Sequence, residues 1–150
     1  MPGNSTRARE INELQMLYGL EKHFRDVIVE GRDDAAFLNW YFREVGADNA
    51  RAYAIDDRAV VPSDLVRQVH DEVNARGRVV ALAAAAQTWP KGQQSITCVV
   101  DADYDVLDGS LPDLTVLRKT DYAAMEIYAL QERPLSKFLA SVAASDVTTD

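Results

Sequence analysis

Ile96-Thr97-Cys98-Val99-Val100 is a run of strand-forming residues that stops abruptly at Asp101-Ala102-Asp103-Tyr104-Asp105. Its apolar character on both faces is what a parallel strand covered on both sides requires. Upstream, Asp26-Val27-Ile28-Val29-Glu30-Gly31 has the same form: a short apolar run, an acid at its end, then a glycine. Around these two stretches the apolar residues recur at helical spacing. Ile11, Leu14 and Tyr18 mark a helix over 6–20, and Phe37, Leu38, Tyr41, Phe42 and Val45 form one face of a helix over 34–45. Val66, Val69 and Val73 give the stripe of a helix that starts at Pro62-Ser63, with Ser63 as its N-cap. Gly77 breaks that pattern, and 79–88 predicts an alanine-rich helix followed by a loop at Trp89-Pro90-Lys91-Gly92. Arg51 to Ile55 reads as a second strand and Leu114 to Leu117 as a fourth. Asp121 can cap a helix to Leu130, and Pro134 to Ala144 forms a last one. Strands alternating with helices predict an α/β fold, a Rossmann-like parallel sheet of about four strands flanked by helices, with right-handed crossovers.

That architecture gives the acids a meaning, because open parallel sheets bind ligands beyond the C-terminal ends of their strands. Glu30 ends the first strand and Asp101 ends the third. Asp101 and Asp103 point the same way if the extended backbone continues. Carboxylates converging there repel one another unless a cation joins them. Hard oxygen donors suit Mg²⁺ or Mn²⁺, and Gly31 lets the backbone come close beside Glu30.

The chain has 150 residues, 47% apolar and 27% charged, enough for one domain with a real core. Its formal net charge of −8 argues against a simple nucleic-acid coating module, which would be basic. It leaves room for an enzyme that meets phosphate through bound metal. No apolar run is long enough to span a membrane, and Met1 to Glu10 lacks the apolar centre of a signal peptide. The single cysteine, Cys98, reads as a small core residue, which excludes a disulfide framework and makes the cytoplasm the expected compartment. An EF-hand loop starting at Asp101 fails, since Val106 and Pro112 stand where glycine and glutamate are needed. Walker A and HExxH motifs are absent, and His23 and His70 have no ligand spacing.

Val29-Glu30-Gly31-Arg32-Asp33-Asp34 resembles the first motif of the Toprim domain, and Val99-Val100-Asp101-Ala102-Asp103 resembles its second, in the same order. The finer pattern adds Asp-Ala-Asp-Tyr-Asp and Thr120-Asp121-Tyr122 with Glu126 following. With these the sequence looks like a Toprim-related family found beside ATPases in bacterial antiphage systems, related to the overcoming-lysogenization-defect nucleases. The resemblance covers roughly 26–130, preceded by an N-terminal helical segment, 1–25. The C-terminal helix, 131–150, then reads as the start of a region that continues in longer members.

The resemblance implies metal-dependent cleavage of nucleic-acid phosphodiesters, on DNA or RNA including tRNA, by an effector under a partner ATPase. It implies Glu30 as metal ligand or general acid/base, Asp101 and Asp103 as metal holders, and Asp34 at a second metal position. Asp105 and Glu126 complete the candidate metal set, and Arg32, Arg118 and Lys119 are candidates for phosphate. A diagnostic catalytic lysine is missing: Lys119 and Lys137 are the only ones after the acidic motifs. Plainer roles compete. Asp33 and Asp121 suit helix caps, Asp105 and Asp108 suit a solvated loop, and Glu126 flanks an apolar stripe. Two rival functions remain open: a Toprim module that binds partners without catalysis, and a receiver-like signalling domain in which Asp101 accepts a phosphoryl group. The apolar faces of the first and last helices suit a homodimer or an ATPase interface, and equally packing within the chain.

Overall fold

The computed structural model describes residues 7–102 and 111–120. In chain order the elements are β1 (Arg9–Glu10), α1 (Ile11–Leu20), β2 (Arg25–Val29), α2 (Arg32–Val45), β3 (Ala50–Ala54) and α3 (Ile55–Arg58). They continue with β4 (Ala59–Val60), α4 (Ser63–Arg67), α5 (Ala75–Gln87), a 3₁₀ turn over Lys91–Gln93, β5 (Ile96–Val100) and β6 (Leu117–Lys119). Four strands pair in the order β3-β2-β5-β6, and every pairing is parallel. The α/β expectation is met: a four-stranded parallel sheet flanked by helices, consistent with a Rossmann-like fold.

Alternation along the strands sets the two layers. Ile28, Ile96, Cys98 and Val100 point into the larger core with Leu14, Tyr18, Val79, Val80 and Leu82 of α1 and α5. Val29 and Ala52 point the other way, onto Ala35, Phe37, Leu38 and Phe42 of α2. Helix α5 is apolar nearly all round, as a helix enclosed between a sheet and other helices must be. Among the described residues, no helix is long and apolar enough to cross a membrane.

The boundaries differ from the sequence expectation where tertiary contacts decide them. The first helix is shorter than 6–20, because Arg9 and Glu10 pair with Ala59 and Val60 instead. The helix expected over 34–45 begins two residues earlier, after Gly31, so Asp33 sits in its first turn and is not its cap. Tyr41 and Val45, expected on the buried face, are exposed. Ile55 leaves the second strand and opens the short helix α3. Ser63 is the first residue of α4 and Pro62 its cap, which fits proline's fixed φ. Val73 lies beyond that helix and is exposed. The fourth strand is Leu117–Lys119 and not 114–117, because it is defined by pairing with Cys98 to Val100. The helices expected from Asp121 and Pro134, and the division of the chain at 131, lie outside the described residues.

Gly77 does not break a helix; it lies inside α5. Asn74 caps that helix by accepting from the Gly77 N–H at 2.8 Å. A Cβ on Gly77 would come within 2.3 Å of the Glu72 carbonyl oxygen and 2.8 Å of Val66 Cγ1. The glycine is therefore kept by the close passage of the 70–72 turn.

The outer edge of the sheet at β3 is closed by a side chain. Asn39, on α2, donates from Nδ2 to the Ala52 carbonyl at 2.9 Å and accepts the Ala52 N–H on Oδ1 at 2.9 Å. One amide thus takes both backbone groups that a further strand would use, a way of blunting an edge.

Two outcomes check these points. Gly77→Ala is expected to destabilise the chain by about 1–3 kcal/mol in urea denaturation through overpacking, although alanine is the better helix former. Asn39→Leu is expected to cost about 1–3 kcal/mol by stripping partners from Ala52, and to speed hydrogen exchange at the Ala52 amide. An unchanged exchange rate there would show that the edge is protected by something else.

Candidate functional site

The chain leaves β2 to form β3 on one side, then crosses over to form β5 on the other side of β2. The strand order reverses between β2 and β5, the point where open parallel sheets form a crevice at their C-terminal ends. Glu30 follows β2 and Asp101 follows β5, so the topology puts both at that crevice. The Asp101 backbone N–H donates to Glu30 Oε1 at 3.2 Å, a contact across 71 positions of sequence.

A third residue joins them. Arg76, in the first turn of α5, donates from Nη1 to the Asp101 carbonyl oxygen at 2.7 Å and to Glu30 Oε1 at 3.4 Å. The Arg76 and Glu30 side chains are only 12% and 22% exposed, so this ion pair is shielded more than a surface one. Ala102 is tied down as well: its N–H donates to the buried Thr120 hydroxyl at 2.9 Å, and Thr120 N–H donates to the Val100 carbonyl.

The other sequence candidates divide. Asp34 is placed at the same edge, but its Oδ2 accepts the Gly31 N–H at 3.1 Å, giving it the capping duty expected of Asp33. Arg32 is exposed and holds Asp57 in a bidentate pair at 2.7 and 2.9 Å. That pairing draws the Asp57 carboxyl below its usual range and raises Arg32. Arg118 folds back on the carbonyls of Thr115 and Leu117 at 2.8 and 2.9 Å, and Lys119 is exposed. Asp103, Asp105 and Glu126 lie outside the described residues. Among the described residues, no three His, Cys, Asp or Glu side chains come together as a metal cluster. The described part of the crevice brings the Glu30 carboxylate against the backbone of Asp101. Oxygen donors are the ligands that a hard divalent cation takes.

Sequence reading missed Arg76, and it quoted Thr120 within a motif without giving it a role. Arg76 left one usable signal. The first turn of a helix favours acids, yet that of α5 has none and carries an arginine. A cation placed against the helix dipole needs acidic company from elsewhere in the fold.

A second polar cluster lies within the core beneath the sheet. Tyr18 donates its hydroxyl to Asp26 Oδ2 at 2.8 Å, and the Arg58 guanidinium pairs with the same oxygen. Arg58 also stacks on the Tyr53 ring, 4.5 Å from its centroid. Burial, then the Asp26 charge, push the Tyr18 hydroxyl far above its ordinary value, so Tyr18 remains a donor. Burial opposes the Arg58 charge, but Tyr18, Asp26 and Tyr53 outweigh it and hold the guanidinium protonated. Burial alone pushes the Cys98 thiol up to about 12, which makes it an inert core residue and no nucleophile.

Removing one partner of the Asp26–Arg58 pair leaves a charge in the core. Arg58→Met is therefore expected to cost about 3–5 kcal/mol in chemical denaturation. Arg58→Met combined with Asp26→Asn should recover a substantial part of that loss. Strict additivity of the two substitutions would rule out direct coupling.

No protein family, curated protein sequence or solved structure matches this chain, so its functional reading rests on the residues at these strand ends.

Proposed function

We propose that the chain binds Mg²⁺ or Mn²⁺ at the β2–β5 crevice and cleaves nucleic-acid phosphodiesters there, as a Toprim-like nuclease. The observation that carries this reading is the meeting of Glu30 and Asp101 at the strand-order switch point, through the Asp101 N–H to Glu30 contact. Glu30 and Asp101 would hold the metal, with Asp103 two residues further along the same segment. A bound divalent cation supplies the positive charge that draws in the phosphate and stabilises the attacking and leaving oxygens. Glu30 is also the group to take or give a proton, since its carboxylate lies at the strand end that the substrate would approach. The acidic chain then relies on metal, and on Arg76, to meet a polyanion. The motif resemblance supports placing this activity in antiphage defence, in the cytoplasm, under a partner ATPase.

A second reading draws support from the strand order. Numbered along the chain, the four strands lie 2-1-3-4, the order of doubly wound receiver-type domains. In that reading Asp101 accepts a phosphoryl group. Glu30-Gly31, in place of an adjacent acid pair, counts against it.

The test is Mn²⁺ and Mg²⁺ binding by calorimetry on wild type, Glu30→Gln and Asp101→Asn, with cleavage of pooled DNA and RNA in the same buffers. Both variants are expected to lose about tenfold or more in metal affinity, and cleavage with it. Metal binding without cleavage, together with labelling of Asp101 by a small phosphodonor, would favour the receiver reading. A wild-type chain that binds neither metal would leave a partner-binding module.

A further inference from the structure

We propose that Arg76 is the built-in counterion of this site, and that a divalent cation binds in exchange for the Arg76–Glu30 ion pair. The inference rests on the metal-binding reading above and adds how the metal is admitted. Three observations carry it. Arg76 Nη1 reaches both Glu30 Oε1 and the Asp101 carbonyl, the same two residues that would hold the metal. Both side chains of the ion pair are largely shielded from water, so their charges are felt strongly. The guanidinium stands in the first turn of α5, where the helix dipole disfavours a cation, so its placement is held by the Glu30 carboxylate and the Asp101 carbonyl it faces.

Arginine cannot lose its proton in a protein, so the crevice always contains the Arg76 charge. A divalent cation bonded to a Glu30 oxygen at about 2.1 Å would stand in close contact with a guanidinium on that same carboxylate. The two cations repel, and either the pair loosens or the metal stays out. Arg76 is accordingly a positioning residue. It holds Glu30 and the end of β5 together without metal, and it weakens metal binding until something else takes its charge. A phosphate group arriving with the metal is such a partner, because guanidinium recognises phosphate well.

Mn²⁺ alone is the probe, with affinity read by calorimetry or electron paramagnetic resonance and melting temperature read with chelator and with Mn²⁺. Arg76→Gln is expected to bind Mn²⁺ about tenfold more tightly than wild type. It should also melt at lower temperature in chelator and gain more from added Mn²⁺. Arg76→Lys keeps the charge and is expected to stay near wild type in affinity. Equal or weaker Mn²⁺ binding by Arg76→Gln would overturn the exchange, while wild-type binding that depends on Glu30 would leave the metal site standing. Absence of Mn²⁺ binding in every variant would instead remove the metal site, and the exchange with it. Should Arg76→Gln not fold, wild type decides alone. Saturating Mg²⁺ should shift the Arg76 Nε–H resonance and quicken its exchange with water, and a resonance that stays put at saturation sinks the proposal.

Discussion

The central strand β2 carries a carboxylate near each end, and each is held by an arginine from a different part of the chain. Asp26 is gripped in the core by Arg58 of α3, and Glu30 at the crevice by Arg76 of α5. Because β2 is hydrogen-bonded to β3 on one side and β5 on the other, its position fixes theirs. The two arginines then fix how the helices after β3 and before β5 lie against it. The buried end is a structural anchor: the Tyr18 hydroxyl and Arg58 Nη2 both meet Asp26 Oδ2 away from water, while Arg58 Nε has no hydrogen-bond partner among the described residues. The open end has the same pair chemistry with more water and a backbone carbonyl beside it. The same pairing therefore serves architecture at one end and leaves a reactive opportunity at the other.

The edge around Glu30 is patterned by more than one such pair. Arg32 holds Asp57, and Arg78 holds Asp56 at 2.9 Å. Helices α2 and α5 thus both send arginines toward acids at or near the C-terminal ends of strands. In a chain of net charge −8 this keeps the crevice from being a bare acidic bowl.

The fold was legible where side-chain pattern alone determines an element. Val27 to Val29 and Ile96 to Val100 are apolar on both faces, and only a sheet covered on both sides accommodates that. The placement of Glu30 and Asp101 at one edge followed from the same reading. What escaped was set by partners distant in sequence. Strand β6 includes the exposed Arg118 and Lys119, and only pairing with β5 makes them a strand. The start of α5 hid behind Gly77, whose role comes from the passing Glu72 carbonyl. Arg76 carried no motif; its meaning appears only when α5 is laid against the ends of β2 and β5. Asp34 was read as a metal ligand from resemblance, and the geometry gives its carboxylate a capping bond to Gly31.

The Asn39 clasp on Ala52 makes α2 the cover of the outer edge of β3. Local opening of α2 would break both of these bonds. Whenever that cover lifts, a strand edge with its backbone groups bared is presented to neighbouring chains. The hazard of clumping thus belongs to a partly opened form and not to the native one. Solubility should follow the local stability of α2, and two variants of equal global stability can differ widely in shelf life.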